Sequence, residues 1–163
     1  MASCYDLGVP HIHEKIDFTV AAFIVFEHKV LMVNHGRYGL WLAPGGHVEL
    51  DEDTDEALFR EIYEETGYKP DEIKVLSPKP KIKVSGAKFL FTPNYMDSHE
   101  ANAPHRHISL VYFVKALHDK HIKSDEHLEA KWLSLADFGS GKYKIPGDTK
   151  FFADEAIKLA PNT

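Results

Sequence analysis

Cysteine is nearly missing from this 163-residue chain, since Cys4 is the only one. A disulfide framework is therefore excluded. No stretch approaches the roughly 18 consecutive apolar residues of a membrane span, and the opening MASCYDLGVPHIHEK has no apolar signal-peptide core. These absences favour the cytoplasm and argue against a membrane partner. Arginine is also scarce: Arg37, Arg60 and Arg106 stand against sixteen lysines. The formal net charge of −6 argues against duplex nucleic acid as a partner, because such binders carry a basic face. Neither an internal repeat nor a low-complexity segment occurs. The length suits one domain over 1–163, with 1–15 as a loose N-terminal segment.

Strand and helix patterns alternate along the chain. DFTVAAFIVF (17–26) is a continuous β-branched and aromatic run, which predicts a buried strand. EHK (27–29) predicts a tight turn, VLMVNH (30–35) a pairing strand, and YGLWLAP (38–44) a third extended piece ended by Pro44-Gly45-Gly46. Asp53 with Glu56 three residues on predicts a capping box for a helix running to Thr66 and stopping at Gly67. One or two strands are expected within 82–96, a loop over 97–106, a strong strand over 107–117, a strand end and short helix over 130–138, and a terminal amphipathic helix over 148–159. Mixed strands with an intervening helix predict an α/β or α+β layered fold.

The helix raises the chemical question. On a 100° wheel Leu58, Phe59, Ile62, Tyr63 and Thr66 form one arc, the expected buried face. Glu61, Glu64 and Glu65 fall on the neighbouring arc at i, i+3 and i+4, with Arg60 a turn before Glu64. Like charges at that spacing repel, so a cation is expected among them. Oxygen-only ligands suit Mg²⁺ or Mn²⁺. A merely solvated acidic face is the plain alternative. The Gly-Gly turn before the helix, the adjoining apolar arc and the arginine weigh against it.

Gly46, five residues, Glu52, seven residues, then Arg60-Glu61-Ile62-Tyr63-Glu64-Glu65-Thr66-Gly67-Tyr68 resembles a complete box of the Nudix hydrolase family, including its MutT-like members. Tyr68 at a position usually aliphatic is the one soft departure. The resemblance implies a Nudix-type α/β/α sandwich around a mixed sheet. It also implies hydrolysis of a phosphoanhydride in a nucleoside diphosphate linked to a second moiety, with Mg²⁺ or Mn²⁺. By the same resemblance Glu61 and Glu65 are metal ligands, Glu64 shares their shell, and the Gly45 carbonyl completes it. One of the three glutamates, or a carboxylate from a later loop, is the general base. Arg60 orients a glutamate by an ion pair. Glu52, with Gly46 and Gly67, braces the loop–helix structure. Family members often draw a further glutamate from a loop before a late tryptophan; Glu126, six residues before Trp132, fits that place, and Glu129 is the other candidate.

Outside the box the marks are weaker. His107 and Arg106, beside His105, are candidate substrate contacts, as is the turn residue Arg37. The plainer reading is favoured for each: a polar loop with one histidine facing solvent and one entering a strand, and a solvated turn arginine. Trp41 and Tyr38 are candidate base-stacking residues, with Trp41 better placed as core. Phe89, Phe91 and Tyr95 alternate with period two, as a pocket wall or a core face would. His11 and His13 have no third ligand, so they make no zinc site. The positions that mark ADP-ribose and diadenosine polyphosphate subfamilies fall at Lys83 and Ser85 and are unmatched. A nucleoside triphosphate or another small diphosphate is therefore expected. An isomerase of the same fold needs a cysteine in the sheet, which Cys4 cannot supply. A non-catalytic nucleotide-binding or sensor domain is the other alternative, but such domains lose box glutamates and this chain keeps them all. A homodimer is compatible with the family and has no mark in the sequence.

Overall fold

The computed structural model describes residues 12–13, 15–36, 39–102, 104–122 and 128–160. Eight strands form one mixed sheet: β1 (Ile16–Phe26), β2 (Lys29–His35), β3 (Leu40–Leu42), β4 (Gly45–His47), β5 (Ile73–Val75), β6 (Tyr95–Asn102), β7 (His105–Ala116) and β8 (Glu129–Ser134). The helices are α1 (Thr54–Thr66), α2 (Leu135–Gly139) and α3 (Gly147–Leu159). The sheet runs β3-β2-β1-β7-β5, with β8 on β2, β4 on β1 and β6 on β7. Among the described residues only β1 and β7 pair in parallel. This is the α/β layered architecture expected from the alternating patterns.

Side-chain alternation divides β1 and β7 between two cores. Val20, Ala22, Ile24, Tyr112 and Val114 face α1, where Leu58 and Ile62 meet them. Phe23, Val25, Val111 and Phe113 face the other way and pack against Phe152, Ala153 and Ala156 of α3. Both faces of the two central strands are thus buried, which is why their sequences read as continuous apolar runs. The β1–β2 turn passes through Glu27 and His28, both at positive φ (44° and 61°), as a tight hairpin demands.

Three expectations are corrected. No named strand covers 82–94; that stretch is irregular apart from a bridge between Val84 and Ala87. Pro78, Pro80 and Pro93 punctuate its approach and exit, and proline lacks the N–H that a ladder needs. The expected loop over 97–106 is instead largely β6 and the start of β7. Its polar residues Asp97 and His99 stand on the same sheet face as Ser109 and His107 of β7. Finally, Tyr63 is 55% exposed and does not join the buried arc of α1, whose inward side holds Ala57, Leu58, Ile62 and Thr66.

Candidate functional site

The loop from β4 into α1 is held by its own side chains. Asp53 caps α1, accepting from the N–H groups of Asp55 (3.0 Å) and Glu56 (3.1 Å), while Glu56 Oε2 accepts from Asp53 N–H (2.9 Å). That is the capping box read from the sequence. Glu52 Oε1 accepts from Glu49 N–H at 2.9 Å and fixes the loop before it.

Arg60 organises the acidic cluster. Its Nε and Nη2 donate to the two oxygens of Glu52 at 3.0 and 2.6 Å, a bidentate pair. Nη1 donates to Glu61 at 2.7 Å and to Glu64 at 3.1 Å, and Nη2 also donates to the His47 carbonyl at 2.9 Å. One guanidinium thus ties β4, the loop and α1 together. Arg60 is held still more firmly protonated by Glu52 and Glu61, and its hydrogen bond lowers the Glu52 carboxyl below its ordinary range.

Glu61, Glu65 and the glycine pair meet at one point. Glu65, 3% exposed, accepts from Gly45 N–H at 2.9 Å. Gly45 has φ 156°, and a Cβ there would lie 2.1 Å from the Val20 carbonyl oxygen. A Cβ on Gly46 would lie 2.2 Å from Glu61 Oε1. Both positions therefore need glycine, one for the backbone and one to let a carboxylate approach. Burial, with Glu65 and Glu64 nearby, pushes the Glu61 carboxyl up to about 7 in spite of Arg60. Glu64 is the open member, with a side chain 54% exposed. Gly67, at φ 75°, ends the helix as expected, its N–H donating to Tyr63 O.

The remaining sequence candidates scatter. Arg106 is exposed and donates to Ser98 Oγ at 3.1 Å from Nη2. Residues 106 and 107 alternate on β7, so Arg106 and His107 point to opposite faces of the sheet and do not share a pocket. Arg106, register partner of Ile16, lies on the α1 side, while His107, register partner of Asp17, lies on the α3 side. Glu126, Arg37, Tyr38 and His11 lie outside the described residues. Trp41 is core, 7% exposed.

Two features had no place in the sequence reading. The irregular segment before β6 straps the start of α1. Lys79 pairs with buried Asp55 at 2.5 Å, the Phe91 N–H donates to the same carboxylate at 2.9 Å, and Lys88 pairs with Asp53 and Glu56. A cleft of about 350 Å³ beside the loop is lined by Phe18, Val48, Glu49, Glu52 and Leu90, among others. The second feature is a histidine cluster on the opposite face. His47 and His107 rings are 5.0 Å apart, and His105 and His107 rings 5.4 Å. Burial opposes ionisation of Asp17 at its centre, yet the N–H groups of His13 and Ile12, with His47 and His105, hold its carboxyl below the ordinary range. Burial and the neighbouring imidazoles push His107 down to about 4.

The NUDIX domain family model matches residues 16–154. A Caenorhabditis elegans protein bearing the nudix hydrolase name is 26% identical over 157 residues, covering 90% of this chain and 37% of that protein. A Mus musculus diphosphoinositol polyphosphate phosphohydrolase 3-alpha is 48% identical over 44 residues, 26% of this chain and 27% of that protein. The chain thus spans little more than a third of the length of these curated relatives, or less. The crystal structure of a NUDIX-family hydrolase from Clostridium perfringens is 30% identical, covers 88% of this chain and 97% of its own, and superposes with a TM-score of 0.75.

Proposed function

This chain belongs to the Nudix family, and on that premise we propose that it hydrolyses a phosphoanhydride bond in a nucleoside diphosphate linked to a second group, using Mg²⁺ or Mn²⁺. A nucleoside triphosphate or a similar small nucleotide is the substrate class proposed. The observation that carries the proposal is the Arg60 hub, which holds Glu61 beside Gly46 and gathers Glu64 near it, with buried Glu65 bonded by the Gly45 N–H.

The donor set fits such an ion. Glu61, Glu64, Glu65 and the Gly45 carbonyl offer oxygen alone, the choice of Mg²⁺ and Mn²⁺. The missing Cβ of Gly46 leaves the approach to Glu61 clear. Burial above all, with Glu65 and Glu64 adding to it, raises the Glu61 carboxyl, so a bound cation is what would hold it ionised. When bound, the ion supplies charge neutralisation for the phosphates and acidification of a water.

The protein's own groups do the rest. Arg60 and Glu52 fix the orientation of the glutamates, so little reorganisation is needed when substrate arrives. In this reading one of Glu61, Glu64 and Glu65, with Glu64 the most accessible, or Glu126 from the later loop, takes the proton of the attacking water. The cleft beside Glu52 offers Phe18, 47% exposed, as a face for a base or other apolar group. Arg106, on the same side of the sheet, is the candidate phosphate contact. Arg37 keeps its proposed substrate role on sequence grounds alone. The single cysteine and the absence of any helix among the described residues long and apolar enough to cross a membrane fit a cytoplasmic setting.

The test is a panel of nucleoside triphosphates, dinucleoside polyphosphates, nucleotide sugars and ADP-ribose with Mg²⁺ or Mn²⁺, read as phosphate after a coupled phosphatase or pyrophosphatase. Metal-dependent turnover of one class is expected. Thermal shifts with these ligands but no turnover would favour a nucleotide-binding domain instead.

A further inference from the structure

Strands β4, β1, β7 and β6 lie side by side, and their register stacks polar side chains in two rows on the face opposite α1. His47, Thr19, Ser109 and Asp97 form one row, and Asp17, His107 and His99 the next. The α3 core occupies the other end of this face. A strand interior ordinarily buries apolar side chains here. This one buries Asp17, with no exposed surface, and His105, 1% exposed.

One donor atom each from Asp17, His105 and His107 lies within 4.8 Å of the other two. His105 Nε2 is 3.2 Å from Asp17 Oδ2, and His47 Nε2 is 3.4 Å from that same oxygen. Ligands of a tetrahedral zinc ion, bonded at about 2.0–2.1 Å, stand roughly 3.3 Å apart. The 3.2 Å between Asp17 Oδ2 and His105 Nε2 fits two ligands of one such ion, and the His107 donor lies within 4.8 Å of both. The Asp17 carboxylate is also held by backbone, accepting from the Ile12 N–H at Oδ2 (3.1 Å) and from the His13 N–H at Oδ1 (2.6 Å). Such supporting bonds are what a metal-ligating carboxylate requires. Access remains, because the His47 side chain is 22% exposed.

We propose that Asp17, His105 and His107 bind one Zn²⁺-class divalent cation, with His47 beside its fourth position, in a site separate from the box carboxylates. Two imidazoles and a carboxylate select zinc, cobalt or nickel over magnesium. The two sites therefore differ in ion as well as in face. The cation pins β1 to β7. Through His47, whose carbonyl is held by Arg60, it also steadies β4, the strand that carries Gly45 and Gly46.

The experiment titrates chelator-stripped full-length protein with Co²⁺ in excess Mg²⁺, following the visible absorption of four-coordinate cobalt. The same titration uses the Glu61→Gln/Glu65→Gln double variant, which removes the box ligands, and the His105→Gln/His107→Gln double variant. The expected result is one equivalent bound by wild type and by the box variant, displaced by Zn²⁺. In the histidine variant, affinity falls at least about 100-fold. Absence of the saturable signal from wild type or from the box variant overturns the proposal. So does an unchanged affinity in the histidine variant. Should that variant fail to fold, judged by circular dichroism, the box variant decides alone.

Discussion

Glu61 is the carboxylate whose environment disagrees most with its charge. Its folded-state value of about 7 lies well above the ordinary 4.5, so the metal-free native protein holds a proton there that the unfolded chain has released. The stability this contributes is present at low pH and is lost as pH rises through about 7. Between pH 5 and pH 8 the loss works out at about 2.5 kcal/mol, or a fall in melting temperature of about 5–10 °C for a chain of this size. Glu61→Gln imitates the protonated form and removes this dependence. His107, depressed to about 4, contributes a slope of opposite sign in the acid half of the range. That slope is common to both proteins and cancels in the comparison. The assay is thermal unfolding of chelator-treated wild type and Glu61→Gln across pH 5–8, repeated with millimolar Mg²⁺. The variant is expected to gain on wild type as pH rises. Added Mg²⁺ should stabilise wild type most at high pH, because the cation takes the place of the proton. Parallel pH profiles for the two proteins would refute the reasoning.

Other substitutions probe the same scaffold. Gly46→Ala puts a methyl 2.2 Å from Glu61 Oε1; the carboxylate swings away, and kcat should drop by about 10²-fold with the fold retained, as steady-state kinetics and circular dichroism would report. Arg60→Lys keeps the charge but loses the fork on Glu52, and kcat/KM should fall about 10- to 100-fold. Asp55→Asn breaks the Lys79 pair and weakens the strap on α1; urea unfolding should show a loss of about 1–3 kcal/mol.

The box was legible because its chemistry is local in sequence. The cap at Asp53, the stop at Gly67 and the three glutamates all lie within one loop and one helix, where spacing maps directly onto space. The histidine cluster was not legible. It joins β1, β4 and β7, and its register depends on long-range pairing. A clue was present all the same: His105 and His107 are two apart, the spacing that places side chains on one strand face, but the polar run 97–106 read as loop. Asp17 was hidden at the start of an apolar strand. The strands expected within 82–96, where Phe89 and Phe91 alternate like a strand, are absent before Tyr95 because the prolines around these residues forbid a ladder. The buried role of Asp55 depends on Lys79, 24 residues on, which no local pattern announces.

The central claim is that the carboxylates gathered by Arg60 form the catalytic cation site. The most direct measurement is kcat for the best nucleotide substrate, with and without Mg²⁺ or Mn²⁺, in wild type and Glu65→Gln. Wild-type turnover should require the metal, and Glu65→Gln should lower kcat by about 10²–10⁴ with circular dichroism unchanged. Turnover that persists without divalent metal, or full activity in Glu65→Gln, would contradict it.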